Sequence, residues 1–238
     1  MITKEELSRV MPRLLTKKRD LLLPFLQAAM TENQITTYLR EAAFLAQLAH
    51  ESGQLKYMQE LASGAAYEGR RDLGNTRPGD GRRYKGRGPI QLTGRANYRK
   101  YGALLGLDLE GNPELAATPE VGFRVAGAFW RLHGLNELAD QRLFKTITRR
   151  INGGYNGLAD RIQYYERALQ VLSKNDPVPS PAVVQSSRDD TPVRILVDGA
   201  PLVLNGDDTP ATFDHGTVWV PVRALAEKLA CTSPAWTP

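Results

Sequence analysis

The sequence predicts a mainly helical domain over residues 1–174, a linker over 175–192 and a small α+β piece over 193–238. Three observations carry this. From Ile35, apolar positions recur at Leu39, Ala42, Ala46 and Ala49, with Phe44, Leu45 and Leu48 on a second face, the 3.6-residue period of a buried helix. Helix starts stand at Thr3 and Glu6, a capping box, and at Thr118-Pro119-Glu120, a cap followed by proline and an acid. Beyond Val193 the period changes to short β-type runs broken by Asp198-Gly199 and Asn205-Gly206.

In chain order, Thr3 opens a helix that Pro12 bends or ends, and Leu21 to Met30 is helical around Pro24. Lys17-Lys18-Arg19 reads as a solvated face. Asn33 to Thr36 is a turn before the buried helix, which Gly53 stops. Residues 63–89 are rich in Gly, Arg and Asp, and a loop of that length is expected to be functional or disordered. Gly86 and Gly88 allow close backbone approach, and an extended stretch from Pro89 to Leu92 delivers Gln91 and Thr93 ahead of a helix over Arg95 to Leu105. The helix from Pro119 ends at Gly134, and Asn136 is placed to cap another. Thr146 to Arg150 leads into Ile151-Asn152-Gly153-Gly154, a buried turn that either presents Asn152 to a cleft or is only a turn. Leu158 to Leu172 is a last amphipathic helix. Strands are expected at Val193 to Val197, Leu202 to Leu204 and Thr217 to Val220, then a short helix from Pro221 to Leu229.

The buried helix carries the chemistry. Glu51 continues its apolar stripe, and Glu60 follows nine positions later. An unbroken helix would turn Glu60 roughly 180° away and about 13 Å along the axis. A stop at Ser52-Gly53 lets the chain fold back and set Glu60 opposite Glu51. Glu51 would then sit partly desolvated at the negative end of a helix dipole, both of which favour its protonated form. A protonated carboxyl facing an ionised one is the pair that glycoside hydrolysis needs. Taken alone, two such glutamates are equally a helix end and a solvated side chain.

Charge is unevenly spread. Residues 175–238 hold four Lys/Arg and eight Asp/Glu, which leaves 27 basic and 18 acidic residues, a net +9, in 1–174. Between Gly69 and Lys100 ten Lys/Arg stand against two Asp, a segment expected to border a cleft or to be a solvated run. Nucleic acid is not expected as a partner, because only Tyr84, Tyr98 and Tyr101 accompany those cations. Cys231 is the lone cysteine, so no disulfide framework exists. His50, His133 and His215 lie apart and supply no metal-ligand spacing, so neither a metal nor any other cofactor is expected, and His50 reads as a packing or supporting residue. No apolar run is long enough to insert in a membrane, and no export signal is read at the N-terminus, so a cytoplasmic start is expected.

Four motifs in order, Ala46-Gln47-Leu48-Ala49-His50-Glu51-Ser52, Gly86-Arg87-Gly88-Pro89-Ile90-Gln91-Leu92-Thr93, Ile151-Asn152-Gly153-Gly154 and Ala159-Asp160-Arg161, make residues 1–174 resemble glycoside hydrolase family 19, the plant-type chitinases and related bacteriophage endolysins. The resemblance implies a lysozyme-like, two-lobed helical fold. It implies Glu51 as general acid and Glu60 as general base, with Glu68 as a rival base that has less around it to hold it rigid. It implies that Thr93 helps the base hold the attacking water, that Tyr84, Gln91, Asn97 and Asn152 contact sugar, and that Arg161 pairs with the cleft carboxylates. The tail pieces Val197-Asp198-Gly199 and Val220-Pro221-Val222-Arg223-Ala224-Leu225-Ala226 resemble the small domain named after the N-terminus of copper amine oxidases, shortened here and without copper ligands. The expected activity is inverting cleavage of peptidoglycan between N-acetylmuramic acid and N-acetylglucosamine, by a monomeric endolysin held in a host cytoplasm until release to the wall. Chitin is the alternative polymer, and a binding protein without catalysis or a nucleic-acid binder are the competing classes.

Overall fold

The computed structural model describes residues 1–173 and four short strands farther along. They fall in two units, Met1–Pro177 and Val178–Pro238.

The first unit is built from helices. α1 (Lys4–Val10) starts on the predicted capping box, with Thr3 Oγ1 accepting from the Glu6 amide at 3.2 Å and Glu6 returning a carboxylate to the Thr3 amide at 2.8 Å. It stops before Pro12. α2 (Thr16–Glu32) runs through Pro24, and α3 (Tyr38–Glu51) starts on Thr37, whose hydroxyl accepts from the Arg40 amide. α3 buries every residue from Glu41 to Ala49, as expected of a helix with two apolar faces. After a long irregular stretch come α4 (Asp80–Arg83), α5 (Arg95–Leu105), α6 (Pro119–Leu132), α7 (Leu135–Asp140), α8 (Phe144–Asn152) and α9 (Leu158–Leu172). α9 and α1 pack against each other, α9 lies along α3, and α2 packs on α6. Phe44 of α3 meets Trp130 of α6 edge-on at 5.2 Å, and Phe144 stacks on Tyr165 at 4.2 Å, so aromatic pairs tie α3 to α6 and α8 to α9.

Two capping expectations change. Thr118 stands at the N-cap of α6 as expected, but its hydroxyl makes no capping bond and donates to the Leu115 carbonyl at 2.7 Å. Asn136 does not cap α7 but lies inside it, buried, accepting from the Trp130 indole at 2.9 Å and donating to the Asn33 carbonyl at 3.0 Å. A buried indole N–H needs an acceptor, and that need decides where Asn136 points.

Residues 63–89 form neither an open loop nor a disordered one. They hold two 3-10 turns, Ala65–Tyr67 and Arg71–Leu73, and α4. The anchor is Asp80, 1% exposed, whose carboxylate takes both the Arg95 guanidinium (Nε at 2.9 Å) and the Arg77 amide (2.9 Å). Buried Asn75 donates to the Tyr67 carbonyl and accepts from the Arg95 amide. Of the ten basic side chains between 69 and 100, six are taken up internally: Arg70 by Asp72, Arg83 and Lys85 by backbone carbonyls, Arg87 by Glu114, and Arg95 and Arg99 by Glu110. The basic border predicted for the cleft is therefore largely a set of struts.

In the second unit β1 (Ile195–Val197) pairs antiparallel with β2 (Ala200–Leu202), and β3 (Thr212–Asp214) with β4 (Thr217–Trp219). Val197 opposes Ala200 and Asp214 opposes Thr217, the two-residue spacing of the tightest hairpins. β2 thus begins two residues earlier than predicted, and β3 was not anticipated. The linker 175–192, the helix expected over 221–229 and the rest of the small domain lie outside the described residues.

Hydrogen bonds from Arg99 and then Arg95 hold the Glu110 carboxyl down to about 2. A depressed carboxyl stabilises the fold fully above its ordinary value of 4.5, and that contribution is lost as pH falls through about 2. Urea unfolding should therefore show Glu110→Gln weakened at pH 7 and closer to the parent protein at pH 2.

Candidate active site

α3 ends at Glu51 because Ser52 turns its hydroxyl back to the Leu48 carbonyl at 2.5 Å, and the chain then runs left-handed through Gly53, Gln54 and Leu55 at φ 59°, 61° and 60°. Two of these are not glycine, and each costs about 1–3 kcal/mol in that conformation. Their surroundings hold them. Gln54 accepts from the Arg13 amide at 2.8 Å and donates to Tyr164 Oη at 2.9 Å, while Leu55 is fully buried with its amide on Ser52 Oγ at 2.7 Å. The stop falls where the sequence places it.

The half-buried Glu51 carboxylate accepts from Arg161 Nη2 at 2.5 Å. Arg161, on α9, is 2% exposed. It also donates to Gln47 Oε1 at 2.5 Å and to the Asn156 carbonyl at 3.2 Å, and Gln47 passes the chain on to Thr148 Oγ1 at 2.9 Å. A buried guanidinium thus faces Glu51 as well as the helix end, at the position for which the family resemblance implies a partner of the cleft carboxylates. Asn152 ends α8 half-buried, its amide 3.5 Å from the same Asn156 carbonyl, so Asn152 and Arg161 converge. The turn after it is not buried, since Gly153 is exposed. His50 Nδ1 lies 2.6 Å from Asp160 Oδ2, and its ring lies so close over Gly157 that a Cβ there would collide with it. That is the supporting role predicted for it.

Glu60 sits in a second group. Its backbone pairs with the stretch around Gly86: the Glu60 amide donates to the Gly86 carbonyl at 2.8 Å, and the Gly88 amide to the Met58 carbonyl at 2.9 Å. Its carboxylate accepts from the Gly86 amide at 3.0 Å and from Tyr67 Oη at 3.0 Å. Burial, and then the neighbouring Glu60, push the Tyr67 phenol above its usual range, so at neutral pH it remains the donor. Residues 87 and 92 exchange backbone hydrogen bonds around a tight turn in which Gln91 adopts φ 55°. The extended stretch predicted from Pro89 to Leu92 is thus a turn, in which the Gln91 side-chain amide donates to the Gly88 carbonyl at 3.0 Å and its oxygen lies over Gly86. A Cβ on Gly86 would lie 2.7 Å from Gln91 Oε1 and 3.2 Å from Glu60 Oε2. Thr93 donates its hydroxyl to the Gln91 carbonyl at 2.9 Å, and Asn97 donates to the Thr93 carbonyl at 2.8 Å.

The structure joins the predicted residues into these two groups, Glu51 with Arg161 and Asn152, and Glu60 with Gln91, Thr93 and Asn97, linked by residues 52–59. Two readings change. Glu68 is not loosely held, since its carboxylate accepts from the Gly79 amide at 2.6 Å and the Gly81 amide at 2.8 Å. It serves as the clamp on the start of α4. Tyr84 is 1% exposed, tilted against Tyr98 with the Arg95 guanidinium over its ring and its hydroxyl on the Glu110 carbonyl, so it is a core residue and not a sugar contact.

Comparison with known proteins uses the same region. The class I chitinase family, glycoside hydrolase family 19, matches residues 25–143. The chain belongs to that family. A Haemophilus influenzae protein described as a glycosyl hydrolase family 19 domain-containing protein is 32% identical over 169 residues, covering 58% of this chain and 82% of that one. An Arabidopsis thaliana endochitinase is 40% identical over 138 residues, covering 55% of this chain and 47% of the plant protein, so the chain spans about half the length of that relative. Chitinase C from Streptomyces griseus superposes with a TM-score of 0.60 at 24% identity, covering 72% of this chain and 92% of the other. A second bacterial family 19 chitinase gives 0.59 at 25% identity. The fold is thus the lysozyme-like helical fold of family 19 chitinases, and the protein is a family 19 glycoside hydrolase.

Sequence reasoning missed three residues of this family 19 site. Gln47 stands four before Glu51, so helical spacing alone would have put the two on one face. Tyr67 lies in an irregular stretch without a period, and Thr148 meets Gln47 only through the packing of the helices, so neither left a signal. No group of three or more His, Cys, Asp or Glu able to hold a metal occurs among the described residues.

Since a Cβ at Gly86 would crowd both Gln91 Oε1 and Glu60 Oε2, Gly86→Ala should lower turnover at least about tenfold, as expected when a site's groups are displaced by an ångström. Circular dichroism and the melting temperature should stay close to those of the parent protein.

Proposed function

We propose that this enzyme hydrolyses β-1,4 bonds next to N-acetylglucosamine in bacterial peptidoglycan, with Glu51 as general acid, Glu60 as general base and the two groups facing each other across the cleft. The observation that carries the division of labour is that both oxygens of Glu60 accept hydrogen bonds whereas one oxygen of Glu51 has none among the described residues and can carry a proton. Glu60 is held by an amide and a phenol, both donors, in the arrangement of a fixed base. Glu51 keeps one oxygen outside its bond to Arg161 and stands at a helix end. In this reading Glu51 delivers a proton to the leaving oxygen while Glu60 takes one from a water on the opposite side of the ring. Thr93 supports that water: its hydroxyl proton is committed to the Gln91 carbonyl, so its lone pairs are free to accept from the water. Direct attack by water needs carboxyls about 6.5–9.5 Å apart and gives the inverted anomer. Arg161, Asn152, Gln91 and Asn97 position these groups and the sugar.

Peptidoglycan as the polymer is supported by the net +9 of residues 1–174 against an often anionic wall. Chitin is the second reading, favoured by the relatives that are described as endochitinases. An endolysin role, a monomeric state and a cytoplasmic stage before release extend the first reading.

Glu51→Gln should abolish turnover in a folded protein, and Glu60→Gln should cost at least about 10²-fold. Glu68→Gln should instead lower the melting temperature through α4. A dead Glu68→Gln beside an active Glu60→Gln would transfer the base to Glu68.

The polymer is decided by digesting purified peptidoglycan and chitin hexamer in one buffer. Mass spectrometry should find muropeptides with a new reducing N-acetylmuramic acid end, released faster at low ionic strength than at high. Rapid chitin cleavage without muropeptides would make the enzyme a chitinase.

A further inference from the structure

A cleft of about 660 Å³ opens between the α1–α2 turn, residues 53–57 and α9. Arg13, Lys18 and Lys56 line it, together with Tyr57, Tyr164 and Leu15. No carboxylate lines it. Among the described residues none of the three cations has an acidic partner: Lys18 donates to the Lys56 carbonyl at 2.7 Å, the Lys56 ammonium lies 5.0 Å from the Tyr57 ring centre, and the Arg13 guanidinium has no bond at all. Burial pushes the Lys18 ammonium below its usual range, a cost that an anion would relieve.

Two other concave surfaces, which also hold Arg77 and Arg82 without an acidic partner among the described residues, differ in having carboxylates in their lining. Around Arg95 the lining includes Asp80 and Glu110, and around Arg87 it includes Glu114, so those cations are already neutralised. The cleft behind residues 53–57 is a positively charged concavity with unspent cations. Its walls are also apolar, with two tyrosine rings and Leu15 at 74% exposure, which a bare inorganic anion would not need. Cations beside aromatic and aliphatic walls suit a short peptide that carries carboxylates.

We propose that this cleft binds the acidic stem peptide of peptidoglycan and so selects that polymer over uncharged chitin. The proposal rests on the peptidoglycan reading above. It gives that reading a physical discriminator, because chitin has no group to place there. The occupant would lie against Gln54, Lys56 and Tyr57, which belong to the segment joining Glu51 to Glu60.

The test uses the full-length protein and a synthetic stem tetrapeptide with free carboxylates, beside the same peptide with its carboxylates amidated. Calorimetry should show the acidic peptide binding at low salt, more weakly at high salt, and the amidated one roughly tenfold more weakly. In Arg13→Ala/Lys56→Ala the ratio of muropeptide release to chitin-hexamer cleavage should fall about tenfold, through KM rather than kcat. Arg13→Ala alone should move the ratio in the same direction, and it serves if the double variant does not fold. Muropeptide release with no peptide binding, or an unchanged ratio in the variants, overturns the site and leaves the polymer reading standing. Peptide binding with peptidoglycan uncut overturns the polymer reading, and with it the cleft's part in choosing substrate. No binding and no release overturns both.

Discussion

The ion pair between Glu51 and the buried Arg161 is the constraint on which the rest of the domain depends. A guanidinium that is 2% exposed needs an acceptor at each of its three nitrogens, or it destabilises the fold by several kcal/mol. Glu51, Gln47 and the Asn156 carbonyl meet that demand, and each comes from a different piece of backbone or a different turn of α3. Satisfying Arg161 therefore fixes how α9 lies along α3 and where the turn after α8 must pass. Gln47 extends the same requirement to Thr148, so α8 is brought in as well. His50 and Asp160, one residue to the side, repeat the contact between the same two helices. The site is thus not placed on a finished scaffold, because its polar bonds are among those that hold α3, α8 and α9 together.

Glu60 is organised on another principle. No helix carries it. Its carboxylate is bound by a backbone amide and a phenol, and its main chain by the stretch near Gly86. This stretch is in turn held by buried Arg87, which donates to the Arg83 carbonyl and to Tyr98 Oη and pairs with Glu114. Farther out, Asp80 and Glu68 fasten α4. Charges that look like a surface for a partner when read in sequence prove to be the framework of an irregular lobe that has little apolar material of its own. A segment with few apolar residues cannot rely on burial and must be fastened by polar bonds.

This contrast explains what was legible in the sequence. Helices α3, α5, α6 and α9 announced themselves because their period and end signals are local, and α5 and α9 fall at the predicted bounds. The end of α3 was legible for the same reason, through Ser52 and Gly53. Glu51, Glu60, Thr93 and Arg161 were singled out by motif, and their spacing in sequence did not reveal the partners. Tyr84 was taken for a sugar contact on the resemblance, and the Arg95 guanidinium that covers its ring in the core left no signal in the sequence. Glu68 was underrated because its two partners are backbone amides, which every sequence contains everywhere. The turn at Gln91 was missed since a left-handed glutamine has no composition signal. Asn136 was placed at a helix start by its residue type, and the buried indole of Trp130 outweighed that preference.

The Glu51–Arg161 bond spans 110 positions of sequence. Such a bond shapes the order in which the domain is completed. The bonds to the Glu60 carboxylate close over 7 and 26 positions, and the Arg87–Glu114 pair that holds the stretch near Gly86 closes over 27, so that lobe has its own parts once residue 114 has emerged from a ribosome. α3 emerges early too, yet its carboxylate has no counter-charge until α9, the last helix of the domain, is made. Closing so long a loop costs chain entropy only logarithmically more than closing a short one, but it must wait for synthesis. A nascent chain that stalls before residue 161 therefore holds a complete Glu60 pocket beside an unfinished Glu51, and α9 is the piece that completes the pair.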